Sequence, residues 1–280
     1  MKTLLVLGYG YSAAALAARL LPQGWTVLGT TRDAAKLDEI RAQGVEPLLW
    51  PCELREACQR ASHILASAAP NEAGDPFLQA ASGAIAGSGA SWLGYLSTTA
   101  VYGDHNGAWV DEDTPTTPQS QRAILRVLAE MQWLALDRPA HIFRLAGIYG
   151  PGRGPFKKVR DGTARRIIKP GQVFSRIHVD DIAQTLQASM ARPDAGRIYN
   201  LCDNDPAPPE DVIGHAAQLL GLPVPPEVAY DRAEMSPMAR SFYGESKKVS
   251  NQRMRQELGL ELIYPTYREG LAALLAAEES

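Results

Sequence analysis

A short segment rich in glycine and tyrosine has the clearest chemical potential in this chain. The apolar run 4–7 suits a buried parallel strand, and Gly8-Tyr9-Gly10-Tyr11-Ser12-Ala13 leads from it into a helix rich in alanine and leucine. Gly8 permits a tight turn, Gly10 lets a phosphate approach the backbone, and Ala13 allows close helix–strand packing. The amino end of such a helix attracts an anion. The pattern predicts a nucleotide-phosphate site made by Gly8, Gly10, Tyr11 and Ser12.

The end of the next predicted strand, 25–29, indicates which nucleotide binds. Thr30, Thr31 and Arg32 follow this strand, about where an acidic residue would bind the ribose hydroxyls of NAD. Hydroxyl groups and a cation suit a 2′-phosphate instead. Thr31 and Arg32 therefore predict NADP(H) as the cofactor. The alternative is a strand–turn–helix whose glycines serve packing alone and whose Arg32 is solvated.

The elements that must position these residues alternate through the first half of the chain. Further apolar strands are predicted at 45–49, 62–66, 91–97 and 140–145. Helix-compatible segments lie between them, at 34–43, 53–60, 75–87 and 119–136. This alternation predicts an α/β fold of Rossmann type, which is a doubly wound parallel sheet.

Ligands of such sheets lie across the carboxyl ends of the strands. Ser67 and Ala68 follow the fourth predicted strand in sequence order, so we expect them to contact the cofactor. The fifth strand ends in Ser97-Thr98-Thr99, and the sixth continues into the segment 146–152.

In the second half of the chain the alternation of strands and helices is less regular, and proline is more frequent. A strand at 197–201 and helices at 179–190 and 209–220 are predicted there. We expect an NADP-binding Rossmann domain over 1–150 and a smaller, mainly substrate-binding α/β lobe over 151–280. Part of that lobe, about 177–201, is expected to return to the Rossmann domain.

Composition restricts the class of protein. A hydrophobic content of 45%, a charged content of 21% and a net charge of −3 are ordinary for a globular protein and argue against a nucleic-acid partner. Three scattered cysteines fit a reducing compartment. No apolar run is long enough to cross a membrane, and the first residues lead directly into a strand, so we expect a cytoplasmic protein without a membrane partner. The five histidines have no paired spacing, so no metal site is expected.

Five motifs together give the chain a family resemblance. They are GYGYSA (8–13), LSTTAVYGD (96–104), RLAGIYGPG (144–152), IHVDDIA (177–183) and KKVSNQRMRQELG (247–259). Because the five motifs occur in this order and spacing, the chain resembles the NAD-dependent epimerase/dehydratase group of the extended short-chain dehydrogenase/reductase superfamily. The resemblance implies that Thr98 polarises a substrate oxygen. It also implies a Tyr-x-x-x-Lys pair on the following helix, in which the tyrosine is the acid/base and the lysine holds the nicotinamide ribose.

The chain departs from the family pattern at that pair. Arg122 stands where the tyrosine is expected, and Arg126 stands where the lysine is expected. An arginine stays protonated at any working pH, so it cannot act as the acid/base. The chain is therefore an atypical member of the group.

Three interpretations follow from this departure. In the first, Thr98 and Arg122 polarise a carbonyl, Arg126 takes the ribose role, and Tyr102 or water moves the proton, so the chain is an NADP(H)-dependent oxidoreductase or epimerase-like enzyme. In the second, the chain binds NADP(H) as a redox sensor or scaffold without catalysis. In the third, the helix is structural, with Arg126 paired to Glu130 on an exposed face. A tyrosine in a Val-Tyr-Gly turn, as Tyr102 is, is more often a packing residue than a catalyst.

Two further expectations concern partners and capping. Between Arg153 and Arg176 the chain has eight basic residues and one acid, which favours an anionic, phosphorylated or nucleotide-linked small-molecule substrate. A solvated helix face explains this charge equally well. The carboxylates of Asp180 and Asp181 are expected to cap a helix. Homodimers are common among similar proteins, although nothing in this sequence indicates one.

Overall fold

In the computed structural model, the described residues are 2–138, 140–192 and 196–279. They form two compact units, each made of three segments. The first unit contains Met1–Val101, Pro118–Arg144 and Ile182–Tyr199, and the second contains Tyr102–Thr117, Leu145–Asp181 and Asn200–Ser280.

The strands of the described residues are, in chain order, β1 (Thr3–Leu7), β2 (Thr26–Thr31), β3 (Glu46–Leu49), β4 (His63–Ala66), β5 (Trp92–Thr98), β6 (Trp109–Val110), β7 (His141–Leu145), β8 (Gly147–Tyr149), β9 (Arg166–Ile168), β10 (Arg176–His178), β11 (Ile198–Leu201), β12 (Glu227–Ala229) and β13 (Lys248–Val249). The α-helices are α1 (Tyr11–Leu20), α2 (Leu37–Ala42), α3 (Arg55–Arg60), α4 (Pro76–Ala86), α5 (Gln121–Leu134), α6 (Phe156–Arg160), α7 (Val179–Ala191), α8 (Pro209–Leu219), α9 (Pro237–Phe242), α10 (Gln252–Leu258) and α11 (Tyr267–Glu278).

A seven-stranded sheet confirms the predicted fold class. Its order is β11-β7-β5-β4-β1-β2-β3, so the strand order reverses beside β1, as in doubly wound folds. β1 pairs in parallel with β2 and with β4, and its Leu5 lies opposite Leu28 and Ile64. The whole of β1 is buried, which explains its unbroken apolar sequence.

Two helices of the first unit, α4 and α5, begin where the sequence supplies a cap. The Asp75 carboxylate accepts the N–H groups of Phe77 and Leu78 at the start of α4, and the Ser120 hydroxyl accepts the Ala123 N–H at the start of α5. The predicted helix 34–43 is a 3₁₀ turn over Ala34–Lys36 followed by α2. Trp133 of α5 is fully buried and stacks on Tyr95 of β5, with 6.1 Å between ring centroids.

The second unit has its own apolar core, and it corrects two expectations. The segment 102–117, expected in the first domain, belongs to this unit because β6 pairs with β13. The expectation that Asp181 caps a helix is wrong, because α7 already begins at Val179 and the buried Asp181 carboxylate accepts the N–H groups of Ile263 and Tyr264 at 2.6 and 3.1 Å.

The core of the second unit is formed by residues of α6, α8 and α11 and their neighbours, namely Tyr149, Phe156, Val159, Ala164, Ala207, Val212, Ala216, Ala217, Tyr267, Leu271 and Leu274. No helix within the described residues is both long and apolar enough to cross a membrane.

Candidate functional site

The turn after β1 is held by backbone contacts that require glycine. Gly8 has a φ of +95°, and a Cβ there would lie 2.9 Å from the Ala68 nitrogen, closer than real Cβ atoms approach. The Gly8 N–H donates to Thr30 Oγ1 at 2.7 Å, and the Tyr9 N–H donates to the Thr30 carbonyl at 2.8 Å. The turn is therefore fixed to the end of β2 and lies directly against the end of β4.

The amino end of α1 is built to receive an anion. Gly10 is its N-cap, it is exposed, and no side chain caps the helix. A Cβ at Gly10 would meet no described atom within 4 Å outside its two chain neighbours and its own helix, so the space beside this residue is open. Tyr11 and the buried Ser12 form the first turn. This end of a ten-residue helix offers backbone N–H groups and a positive dipole to a phosphate.

Tyr9 supports this turn, a role that the sequence analysis did not anticipate. A Cβ at Gly29 would lie 2.8 Å from Tyr9 Cδ2, so the ring packs directly on the glycine of β2. The Tyr9 hydroxyl donates to Gln43 Oε1 at 2.8 Å. Burial raises the pKa of Tyr9 to about 12, so this phenol stays protonated and acts as a packing group.

At the end of β2, Arg32 is accessible to a ligand, whereas its neighbour Asp33 accepts a backbone hydrogen bond. Asp33 Oδ1 accepts the Ala35 N–H at 3.0 Å, and Thr31 Oγ1 accepts the Asp33 N–H at 3.2 Å. Arg32 is exposed, and no described residue is a hydrogen-bond or ion-pair partner of its guanidinium. The strand end therefore presents a guanidinium without a partner among the described residues, next to a carboxylate that caps the following turn.

Thr98, at the carboxyl end of β5, keeps a hydroxyl proton available. Its side chain is half-buried, and Thr98 Oγ1 accepts the Ala100 N–H at 3.2 Å. No acceptor for its hydroxyl proton lies among the residues that the structure describes. Thr98 can therefore donate a hydrogen bond to a substrate oxygen.

Arg126 is tied to the ends of two strands. Its Nη1 donates to the carbonyl oxygens of Ala68 and Leu96 at 3.1 and 2.9 Å and to the Tyr95 hydroxyl at 2.9 Å. Ser67 lies beside this contact, with its N–H bonded to the Leu7 carbonyl at 2.9 Å. The structure thus brings Ser67, Ala68 and Arg126 together. Burial raises the pKa of Tyr95 to about 12, although Arg126 opposes the shift, so Tyr95 is not a proton donor at neutral pH.

The predicted pair between Arg126 and Glu130 on an exposed face is wrong. Glu130 is only 3% exposed, and its carboxylate accepts the Ser97 hydroxyl at 2.5 Å and Arg144 Nη2 at 2.8 Å. Arg126 and Glu130 are four positions apart in the helix, but their side chains bind different partners inside the unit. Arg122, at the start of α5, is exposed.

Tyr102 has the environment of a packing residue. It is fully buried, and its hydroxyl donates to Asn200 Oδ1 at 2.7 Å. A phenol without access to solvent and already bonded to an amide oxygen is poorly placed to exchange a proton with a substrate. The geometry favours the packing interpretation of Tyr102.

Most of the basic side chains in the segment 153–176 are engaged within the second unit, three of them by carboxylates. Six of the eight side chains bind carboxylates or backbone carbonyls: Lys157, Arg160, Arg165, Arg166, Lys169 and Arg176. The structure therefore supports the structural alternative for these six residues. Within the described ranges, no three residues among His, Cys, Asp and Glu are grouped to hold a metal ion.

Comparison with known proteins shows the family. No family model matches the chain. Protein YeeZ of Escherichia coli K12 is 30% identical over 95% of this chain and 97% of its own. A 3-diazoavenalumate denitrifying reductase of a Streptomyces species is 28% identical over 58% of each chain.

Solved structures agree with this relationship. A conserved protein of unknown function from Silicibacter pomeroyi DSS is 57% identical over 99% of each chain, with a TM-score of 0.94. A Methylobacillus flagellatus protein, provisionally described as an NAD-dependent epimerase/dehydratase, is 26% identical over 100% of this chain and 99% of its own, with a TM-score of 0.72. This chain belongs to the NAD-dependent epimerase/dehydratase family of the extended short-chain dehydrogenase/reductase superfamily.

Proposed function

We propose that this protein is an NADP(H)-dependent oxidoreductase or epimerase-like enzyme that acts on a small carbonyl or carbinol substrate. The observation that carries the proposal is the amino end of α1 at Gly10, which no described side chain caps. It is combined with Arg32 at the end of β2, whose guanidinium has no partner among the described residues. The dinucleotide supplies or accepts a hydride when it is bound. The reductase among the relatives supports redox chemistry, although it matches only 58% of this chain.

The residues present fit a dinucleotide. A Cβ at Gly8 would clash with Ala68, whereas glycine lets the chain turn tightly at this point. Gly10, Tyr11 and Ser12 would hold the pyrophosphate through the start of α1. Ser67 and Ala68 would border the nucleotide at the end of β4.

The preference for the 2′-phosphate rests on Thr31 and Arg32. One oxygen of the Asp33 carboxylate accepts the Ala35 N–H and caps the turn that follows β2. An exposed guanidinium recognises a phosphate by charge-assisted hydrogen bonds. NADP(H) should therefore bind more tightly than NAD(H).

The chemical step needs hydrogen-bond donors at the substrate oxygen. Thr98 would supply one through its free hydroxyl proton, and Arg122 would supply a second. Arg126 would reach the nicotinamide ribose with Nε and Nη2, for which the described part of the chain provides no partner. Since both arginines stay protonated, water moves the proton in this scheme. An anionic substrate is the part of the proposal that rests on the segment 153–176.

A non-catalytic NADP(H) sensor or scaffold is the second candidate. It is favoured by the arginines at positions 122 and 126, where the family resemblance implies a tyrosine and a lysine. This candidate shares the cofactor site and differs only in turnover.

Thermal unfolding with NADPH, NADP⁺, NADH and NAD⁺ at matched concentrations tests the cofactor assignment. Binding to the folded state alone adds about 2.7 kcal/mol at a hundredfold excess over Kd, which shifts the melting temperature visibly. Stabilisation by NADPH and NADP⁺ above that by NADH and NAD⁺ supports the proposal. No shift with any nucleotide would remove both candidates. Loss of NADPH absorbance with a panel of aldehydes and ketones then separates the enzyme from the sensor.

A further inference from the structure

One nitrogen of Arg126 joins the ends of two neighbouring strands. Nη1 reaches the Ala68 carbonyl just beyond β4 and the Leu96 carbonyl within β5, at 3.1 and 2.9 Å. Its third acceptor is the Tyr95 hydroxyl, at 2.9 Å. A guanidinium shared among three oxygens forms charge-assisted hydrogen bonds, which are stronger than neutral ones. Arg126 therefore fixes the spacing between the two strand ends.

One helical turn later, Glu130 fixes the next residue of β5. Its Oε1 accepts the Ser97 hydroxyl at 2.5 Å, and its Oε2 accepts Arg144 Nη2 at 2.8 Å. Ser97, Glu130 and Arg144 are each no more than 5% exposed. A buried ion pair that also binds a hydroxyl holds that hydroxyl rigidly, because moving it would leave charge unsatisfied.

Consecutive residues of β5 are thus bound to α5 by different groups. Leu96 is held through its carbonyl by Arg126, and Ser97 is held through its hydroxyl by Glu130. Thr98 is the next residue along the strand, so its position follows from theirs. The same Arg126 contact fixes Ala68, against which the Gly8 turn packs.

We propose that Arg126 and Glu130 are positioning residues that lock the carboxyl ends of β4 and β5, and with them Thr98, before any nucleotide binds. We call this set of contacts the α5 clamp: Arg126 and Glu130 of α5 with Ala68, Leu96, Ser97 and Arg144. The consequence for function rests on the proposed function, because Ala68 and Thr98 are assigned there to cofactor and substrate. The clamp itself exists in the free protein.

Hydrogen exchange of the nucleotide-free protein, measured by mass spectrometry, tests the clamp directly. In Arg126→Met, segments 66–70 and 95–99 should exchange about tenfold faster, which corresponds to a loss of roughly 1.4 kcal/mol of local stability. Arg126→Lys should restore part of the protection from hydrogen exchange, because lysine keeps the positive charge. The restoration should be incomplete, because the lysine side chain is shorter. Ser97→Ala should accelerate hydrogen exchange in the segment 95–99 alone, since the Glu130–Arg144 pair is left intact. If Arg126→Met does not fold, this variant provides the test.

Arg138 provides a matched control at the opposite end of β5. Its guanidinium donates to the backbone carbonyls of Ala86, Ser88 and Ala90. Arg138 binds three backbone carbonyls, whereas Arg126 binds two and the Tyr95 hydroxyl. Arg138→Met therefore removes an arginine with at least as many acceptors, and it should accelerate exchange at 86–90 and leave exchange at 66–70 and 95–99 unchanged. NADPH affinity should stay constant in Arg138→Met. A fall in Arg126→Met would combine loss of the clamp with loss of the proposed ribose contact, so hydrogen exchange of the nucleotide-free protein is the measurement that tests the clamp.

Unchanged exchange at 66–70 and 95–99 in Arg126→Met would overturn the clamp. A uniform increase across β1, β2 and β5 would also overturn it, because that pattern indicates global destabilisation. If the wild-type protein bound no nucleotide, the proposed function would be refuted but the α5 clamp would not. The clamp is tested separately, by hydrogen exchange of the nucleotide-free protein.

Discussion

Arg32→Asp is the substitution that separates the two nicotinamide dinucleotides most sharply. No described residue binds the Arg32 side chain, so the change breaks no contact and the fold should keep its stability. Hydrogen bonds to charged groups contribute about 1.5–3 kcal/mol, which is roughly a tenfold to 150-fold change in affinity. The new carboxylate would also repel the 2′-phosphate. NADPH affinity should fall by at least about tenfold, whereas NADH affinity should change little.

Isothermal titration of both nucleotides, at low and at high salt, measures this difference. Lys36→Asp is the control, because Lys36 is also exposed, lies four residues away and undergoes the same change of charge. Lys36→Asp should change the affinities for NADPH and NADH by similar factors. These changes should become smaller at high salt, because exposed charges are screened. If Arg32→Asp weakened both nucleotides by the same factor, the assignment of the 2′-phosphate to Arg32 would be refuted.

Two further predictions concern the reaction and the second unit. Thr98→Ala should lower kcat and leave NADPH affinity nearly unchanged in steady-state kinetics and titration, and retained turnover would exclude Thr98 from the mechanism. Burial raises the pKa of Asp203 to about 7, against 3.8 ordinarily, although Arg176 and a backbone hydrogen bond from Asp205 oppose the shift. A raised folded-state pKa means that stability is lost as pH rises from about 4 to about 7, by up to roughly 1.4 kcal/mol per pH unit.

Asp203→Asn keeps the oxygen that accepts the Asp205 N–H and removes the charge. Wild-type stability relative to this variant should therefore fall across that pH window and level off above it, as followed by urea unfolding. A difference between the two proteins that does not change with pH would contradict the burial of a titrating Asp203.

The sequence predicted the elements of the first unit because they depend on short-range pattern. The segment 91–97 is observed as Trp92–Thr98, and 119–136 is observed as Gln121–Leu134. Ser120 caps that helix within three residues of chain, so its start was visible in the sequence. By contrast, β6 pairs with β13, so that Trp109 lies opposite Lys248. No local sequence pattern predicts this long-range pairing.

Partner choice for charged side chains could not be predicted in the same way. An i, i+4 spacing suggested that Glu130 pairs with Arg126, yet Glu130 binds Ser97, 33 residues away in the chain. The helix periodicity places Glu130 near Ala123, Ala129 and Trp133 on the buried face, which was a usable signal. A buried carboxylate needs a cation and a donor, and only the packed unit shows which residues supply them.

Local sequence was enough to predict the glycine turn, the cation at the end of β2 and the strand ends that carry Ala68 and Thr98, because each follows from the conformational freedom, charge or periodicity of a few adjacent residues. The packed structure was needed to show that Arg126 binds Ala68 and Leu96 and that Tyr102 is buried with its hydroxyl bonded to Asn200. These assignments depend on distances between segments far apart in the chain. Such distances are set by how the helices and strands pack, since a buried polar group must find its partner among whatever residues packing brings near.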